Sequence, residues 1–394
     1  MILKLAIRNI MGAGFRTWLN IFILSLAYFL IIAVQGLFSG WQKEASLQIR
    51  KWDIGGGQYW QEKYDPYDPF SLDESHAPIP DVIKPGISAG RAVPILLAPA
   101  TIYPQGRMRS IILKGIPHDQ NLLQLPTDLL LPEHDQIQVI CGGRLATSLD
   151  LNEGDLITVR WRNLHGTFDA AELRIAGIFH TSVLTVDNNQ LWINLKQLQS
   201  MLEMPDQATI ITVRDENIRA PLSGFEYKSL HFLLADLEAM IEAKQAGSAI
   251  LYFILLFMAL IAVFDTQILS LFRRRREIGT MMALGMTRLK IIQLLTLEGS
   301  LHAILAILIG AVYGVPLLYL ASHKGIYIGT AGDDFGLSGI TESLYPVYGW
   351  KLVLGTILLV LIMVTAVSFF PTRQITRLKP TDALRGKLTR RGEA

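Results

Sequence analysis

A single cysteine, Cys141, stands in 394 residues, which excludes an intrachain disulfide framework and any paired Cys-x-x-Cys metal or redox motif. A buried thiol is the expected state of that residue. No Gly-x-x-x-x-Gly-Lys-Ser/Thr run occurs either, since the nearest Gly-Lys, Gly386-Lys387, is followed by Leu388. The chain therefore has no phosphate-cradling loop of its own, and any ATP hydrolysis is expected in another subunit. His-Glu-x-x-His and nucleophile-elbow patterns are missing, and His76, His118, His134, His165 and His180 lack metal-ligand spacing. No catalytic residue, metal ion or bound cofactor is expected in this chain. Its formal net charge of +2 gives no large excess of one sign, and nucleic acid is not an expected partner.

Apolar residues are abundant, at 51% of the chain, while 18% is charged. That mixture fits membrane spans joined to a soluble domain. Uncharged or nearly uncharged apolar runs of the length needed to cross a bilayer lie at 17–38, 249–272, 291–320 and 350–370. The first is as long as a true span and no small-residue cleavage site follows it, so a retained anchor is expected rather than a signal peptide.

Charge placement orients these spans. Lys4, Arg8 and Arg16 precede the first; Arg273 to Arg276, Arg288 and Lys290 separate the second from the third; and Arg373, Arg377, Lys379, Arg385, Lys387, Arg390 and Arg391 follow the fourth. Only Glu277, Asp382 and Glu393 oppose them on that side. Residues 39–248 instead carry 18 basic against 26 acidic residues, and 321–349 has Lys324 against Asp333, Asp334 and Glu342. The positive side is the cytoplasmic one, so the large segment between spans one and two is expected outside. Localisation in the cytoplasmic (inner) membrane, multi-pass, with the large domain on the periplasmic side, is the resulting expectation.

The implied organisation is an amphipathic cytoplasmic N-terminus (1–16), a first span (17–38), an exterior domain (39–228), a stalk helix (229–248), a second span (249–272), a cytoplasmic segment (273–290), a third span (291–320), an exterior loop (321–349), a fourth span (350–370) and a basic tail (371–394). Turn dipeptides punctuate the early exterior domain at Gly55-Gly56-Gly57, Asp65-Pro66, Asp68-Pro69 and Pro78-Ile79-Pro80. Strand-type runs come next, at 92–97, 108–113, 138–141, 156–161, 173–179, 191–194 and 209–213, with helical patterns at 143–149 and 195–202. The mixture reads as α+β. Residues 162–172, with Asn163, Leu164, His165 and Gly166, read as the extended tip of a hairpin, either a solvated turn or a docking finger for a soluble carrier. Leu230, Leu233, Leu234, Leu237, Met240 and Ile241 recur at helical spacing, so a helix is expected to run on into the second span as a stalk, with 41–49 leaving the first span as its partner.

Four arginines cannot stay in hydrocarbon, so the chain leaves the membrane at Arg273. The residues after this point read as a short amphipathic helix ended by Gly285, with Arg275, Arg276, Glu277, Gly279, Met282, Ala283, Gly285 and Arg288 as candidate contacts for a cytoplasmic partner. Arg273 and Arg274 read more simply as topology anchors. Inside the spans, Asp265, Glu298 and His302 are ionisable groups whose burial costs about 2.5 to 3.5 kcal/mol for a carboxylate at mid-helix. The two carboxylates are expected in helix contacts, or paired with Arg288 and Lys290 near the inner surface, rather than in a proton relay.

The segment Arg275-Arg276-Glu277-Ile278-Gly279-Thr280-Met281-Met282-Ala283-Leu284-Gly285, together with Pro380-Thr381-Asp382-Ala383-Leu384-Arg385 near the carboxyl end, resembles the permease subunits of ABC transporters of the macrolide-exporter, lipoprotein-releasing and FtsX-like superfamily. The layout of one span, a large exterior domain and three further spans is similar as well. Gly143-Arg144-Leu145-Ala146 to Leu151-Asn152-Glu153-Gly154-Asp155 and Gly177 to Thr181 resemble recurring pieces of the superfamily's exterior domain, while the exit of the first span, Gly36 to Glu44, and the Gly177 to Leu195 stretch with Asp187 look closest to the lipoprotein-releasing branch. The resemblance implies a separate ATPase dimer that binds ATP and Mg, a second permease copy or paralogue, and ATP-driven movements relayed to the exterior domain. It implies a lipoprotein or lipid-linked substrate passed to a periplasmic carrier or adaptor. Export of a peptide, toxin or drug through a tripartite assembly, and activation of an exterior hydrolase, are the alternatives it leaves.

Overall fold

The computed structural model describes residues 15–131, 136–215, 221–327 and 343–375; the carboxyl-terminal Pro380 to Arg385 motif, most of the 321–349 loop and nearly all of the N-terminal segment lie outside them. The chain divides into two compact units: Met1–Gly40 with Ile241–Ile326 and Tyr345–Ala394, and Trp41–Met240 with Tyr327–Leu344.

The first unit is built on helices. Helix α1 (Phe15–Ile49), α4 (Leu230–Arg273), α6 (Arg288–Lys324) and α7 (Trp350–Ile375) each contain an apolar stretch long enough to cross a membrane. Their shared core joins Leu24, Ala27 and Tyr28 of α1 to Ala259, Leu260 and Val263 of α4, Ala303 and Ala306 of α6, and Val360 and Val364 of α7. Small residues let these backbones approach, and polar side chains bridge them. Asn20 donates to the Ala262 carbonyl at 2.9 Å, and Ser300 meets Thr365 hydroxyl to hydroxyl at 2.9 Å. Gly40 of α1 leaves no room for a Cβ beside the Tyr345 and Pro346 backbone, so the segment entering α7 lies directly on α1.

The second unit is a mixed α+β domain. Among its described residues, nine strands form one sheet: β1 (Gly57–Gln61), β2 (Ala92–Ile102), β3 (Arg109–Ile116), β4 (Ile137–Gly142), β5 (Leu156–Arg162), β6 (Phe168–Phe179), β7 (Gln190–Asn194), β8 (Ile210–Val213) and β9 (Phe225–Lys228), in the order β9-β1-β8-β2-β3-β7-β4-β6-β5. Because β2 also pairs with β5, through Ala100↔Trp161 and its neighbours, β2, β3, β7, β4, β6 and β5 close on themselves into a six-stranded ring. Closure hides the edges that open strands would expose. Strand β5 shows why it fits there: Ile157, Val159 and Trp161 alternate inward while Leu156, Thr158, Arg160 and Arg162 face out. The interior holds Leu113, Val139, Ile175, Leu191 and Ile193, and it receives Leu145 from α2 (Gly143–Leu149) and Leu198 from α3 (Leu195–Leu202). Cys141 sits in the same core, and burial pushes its thiol pKa up to about 12.

Two expectations are revised here. Strand β6 begins at Phe168, not near residue 173, and Arg162 pairs with Phe168, so the hairpin tip is a five-residue turn rather than an extended finger. Strands β1 and β9 occupy stretches read only as turn-rich or unassigned.

Candidate functional site

The chain leaves α4 at Arg273, and Arg274 takes a non-helical conformation before α5 (Arg275–Ala283) begins. That break turns the Arg274 side chain back toward the bundle. Its guanidinium donates through Nη1 to both carboxylate oxygens of Glu298 on α6, each at 3.0 Å, and through Nε to Glu277 at 3.0 Å. The Glu298 side chain is 10% exposed and that of Arg274 is 20% exposed, so two charges share a nearly dry site. Arginine's fork suits this better than lysine's point charge would. Burial disfavours the Arg274 cation, yet Glu298 and Glu277 outweigh it and hold its pKa above the ordinary value. One turn further along α6, His302 is buried with Nδ1 2.8 Å from the Glu298 carbonyl.

Helix α5 has two faces. Ile278 is buried against Leu271 of α4 and Ile291 and Leu295 of α6, with Met282 and Met286 beside them. Gly279 is buried on the same side, while Arg276, Glu277, Thr280, Ala283 and Leu284 are exposed. The helix ends in a Schellman turn: the Met286 amide donates to the Met281 carbonyl at 3.0 Å and the Gly285 amide to Met282 at 3.1 Å. Gly285 closes it with φ +92°, a conformation that favours glycine. Thr287 then caps α6, and Arg288, Leu289 and Lys290 are exposed.

Of the expected partner contacts, Arg276, Glu277, Ala283, Gly285 and Arg288 face outward; Gly279 and Met282 pack inward; the Arg275 side chain is outside the described set. Pairing of Glu298 with Arg288 or Lys290 is replaced by pairing with Arg274, which is thus more than a topology anchor. Leu284 and Leu289, 84% and 65% exposed, were not singled out by sequence. Asp265 is exposed on α4 and does not share the Glu298 site. Ile21 and Tyr28 point into the bundle, whereas Phe22 and Phe257 are exposed on it.

In the other unit, the 163–167 turn folds onto α3. Asn163 Oδ1 accepts from the amides of His165 and Thr167, the Leu164 amide donates to the Leu202 carbonyl at 3.2 Å, and His165 Nε2 lies 3.0 Å from Glu203. Gly166 supplies the positive φ of this turn. Elsewhere Arg144, at the start of α2, binds the buried Asp187 at 3.1 Å, which ties the Gly143 to Ala146 motif to the Gly177 to Leu195 stretch; burial raises the Asp187 carboxyl pKa despite that cation. Among the described residues no group of three or more His, Cys, Asp or Glu side chains is arranged to hold a metal ion.

Four helices long and apolar enough to cross a membrane, with a mixed α+β unit between the first and second in sequence, fit a membrane-embedded protein. Residues 249–380, which include Asp265, α5, Glu298 and His302, match the FtsX-like permease C-terminal family. Over 124 residues the chain is 31% identical to the macrolide export ATP-binding/permease protein MacB of Shewanella sp. (strain ANA-3) and 30% identical to that of Shewanella oneidensis, in each case over 32% of this chain and 16% of the relative. The chain thus spans about a sixth of the length of the curated relatives it matches. These likenesses support the ABC permease superfamily.

Proposed function

We propose that this chain is the non-catalytic permease subunit of an ABC transporter and that residues 273–290 receive the work of a separate ATPase dimer, which binds the ATP and Mg. The observation that carries the reading is the division of α5 into an anchored and an open face. Ile278 and the Arg274 fork fix it to α4 and α6, while Arg276, Glu277, Leu284, Arg288 and Leu289 are exposed beside them. A push on the open face is delivered to both helices at once. The exposed Asp265 supports a second permease copy or paralogue, because a carboxylate against lipid costs about 2.5 to 3.5 kcal/mol on insertion scales. In this account the protein sits in the cytoplasmic membrane with the β-rich unit on the periplasmic side, and the helices leading to that unit transmit the motion.

The substrate we infer is a lipoprotein or lipid-linked molecule taken from the outer leaflet and passed to a periplasmic carrier. The Asn163, Leu164, His165 and Gly166 turn is the proposed carrier contact, with the His165 side chain 70% exposed despite its tie to Glu203. Depletion of the chain tests this: lipoproteins should be retained in the inner membrane, and normal delivery to the outer membrane would reject the substrate. Macrolide export by the relatives favours a second reading, expulsion of a drug or peptide through a tripartite assembly. Co-purification of an adaptor, with normal lipoprotein delivery, is its expected signature.

A further inference from the structure

We propose that a small cavity between α1, α4 and α6 is a binding site for one water molecule, which hydrogen-bonds His302 to Asn20 and Gln267 inside the bundle. The cavity has a volume of about 10 Å³ and is lined by Asn20, Ile21, Val263, Thr266, Gln267 and His302. One water needs roughly 10 to 15 Å³ of such space, together with two to four polar partners. Size therefore admits a water and rejects an acyl chain or any larger solute.

The polar atoms select the same occupant. A carbonyl only accepts, so His302 Nδ1, 2.8 Å from the Glu298 carbonyl oxygen, carries the hydrogen of the neutral ring. That leaves Nε2 as an acceptor with no donor among the described residues, on a residue only 7% exposed. Asn20 is oriented by the same logic. Its Nδ2 donates to the Ala262 carbonyl at 2.9 Å and to the Thr266 hydroxyl, which makes Oδ1 a second acceptor without a donor. Gln267 is 6% exposed, and its side-chain amide makes no hydrogen bond among the described residues.

A water satisfies all three groups at once: it donates to His302 Nε2 and Asn20 Oδ1 and accepts from Gln267 Nε2. A dry cavity would leave them unpaired where lipid offers no replacement. A hard cation would need several oxygen ligands, and no carboxylate lines the cavity. The water also supplies a link between helices. Asn20 binds α4 and His302 binds its own helix, so through the water α1 meets α6 one turn from the Arg274 and Glu298 pair.

The test is magic-angle-spinning NMR of the full chain in lipid bilayers, with ¹⁵N-labelled histidine and transfer of magnetisation from water. The His302 signals are assigned by their loss in His302→Gln. The expected result is an Nδ1–H tautomer with a strong cross-peak between water and the His302 ring. Asn20→Leu removes one partner of the water and should lower its occupancy, and so the cross-peak, by roughly tenfold, equivalent to about 1.4 kcal/mol. Gln267→Leu should act in the same direction and replaces the first variant should that one misfold. Val312→Leu, at an exposed position on α6 away from the cavity, should leave the cross-peak unchanged. An Nε2–H tautomer, a His302 ring without a water cross-peak, or a cross-peak undiminished in folded Asn20→Leu and Gln267→Leu would each overturn the proposal. None of these readouts needs an ATPase or a transported substrate, so failure here is separable from failure of the permease reading.

Discussion

Glu298→Gln tests the Arg274 fork directly. In the wild type Arg274 donates two charge-assisted hydrogen bonds at 3.0 Å to Glu298 and a third to Glu277, whose side chain is 64% exposed. A hydrogen bond to a charged group is worth about 1.5 to 3 kcal/mol, and stranding a fully buried charge costs about 3 to 5. Glutamine keeps one acceptor, Glu277 remains, and the guanidinium retains some water, so a loss of about 2 to 3 kcal/mol is expected. The assay is thermal unfolding in detergent together with amide exchange at Ile278 to Thr280. Tm should fall by several degrees, and those amides should exchange faster while the β-rich unit is unaffected. The double variant Arg274→Met, Glu298→Leu removes both charges and should recover most of the loss, to within about 1 kcal/mol of wild type. A double variant as unstable as the sum of the two single changes would refute the reasoning.

Other consequences are accessible to simple measurements. Gly285→Val should cost about 1 to 3 kcal/mol through backbone strain alone, since no heavy atom lies within 4 Å of the added Cβ, and Gly285→Asn should cost less because asparagine tolerates positive φ; thermal unfolding of the two variants compares them. Glu277→Lys should reverse an exposed charge, withdraw one of the three Arg274 acceptors and so lower Tm slightly, and lose ATPase stimulation while insertion persists; unchanged stimulation in reconstituted vesicles would count against a coupling role. Cys141 should resist maleimide in the native protein at neutral pH and react after denaturation, because a thiol with a pKa of about 12 in the closed core supplies almost no thiolate.

The four long apolar helices were legible because hydropathy is a strong one-dimensional signal. Strand β5 was legible because Ile157, Val159 and Trp161 alternate with outward polar residues. The start of β6 was not: Phe168, Asp169 and Ala170 are all exposed, so no alternation marks them, and only pairing with β5 makes them a strand. Strand β1 hid behind three glycines, although its Tyr59 is buried. Ring closure depends on β2 pairing both with its hairpin neighbour β3 and with the distant β5, which no local pattern encodes. The Arg274 fork was missed for a similar reason. Its partner lies 24 residues away, and four adjacent arginines look alike until the break at the end of α4 selects one of them to turn inward.

The central claim, that α5 and its terminal turn are where an ATPase acts, is tested most directly by cross-linking at Leu284. In a Cys141→Ser background, Leu284→Cys places a thiol on the most exposed apolar residue of that turn, and a short bismaleimide applied in membranes reports what lies against it. The account predicts a cross-link to an ATP-binding subunit whose yield changes with ATP. No such adduct from Leu284→Cys, with equal or greater yield from a cysteine placed at Val312 in the middle of α6, would contradict it.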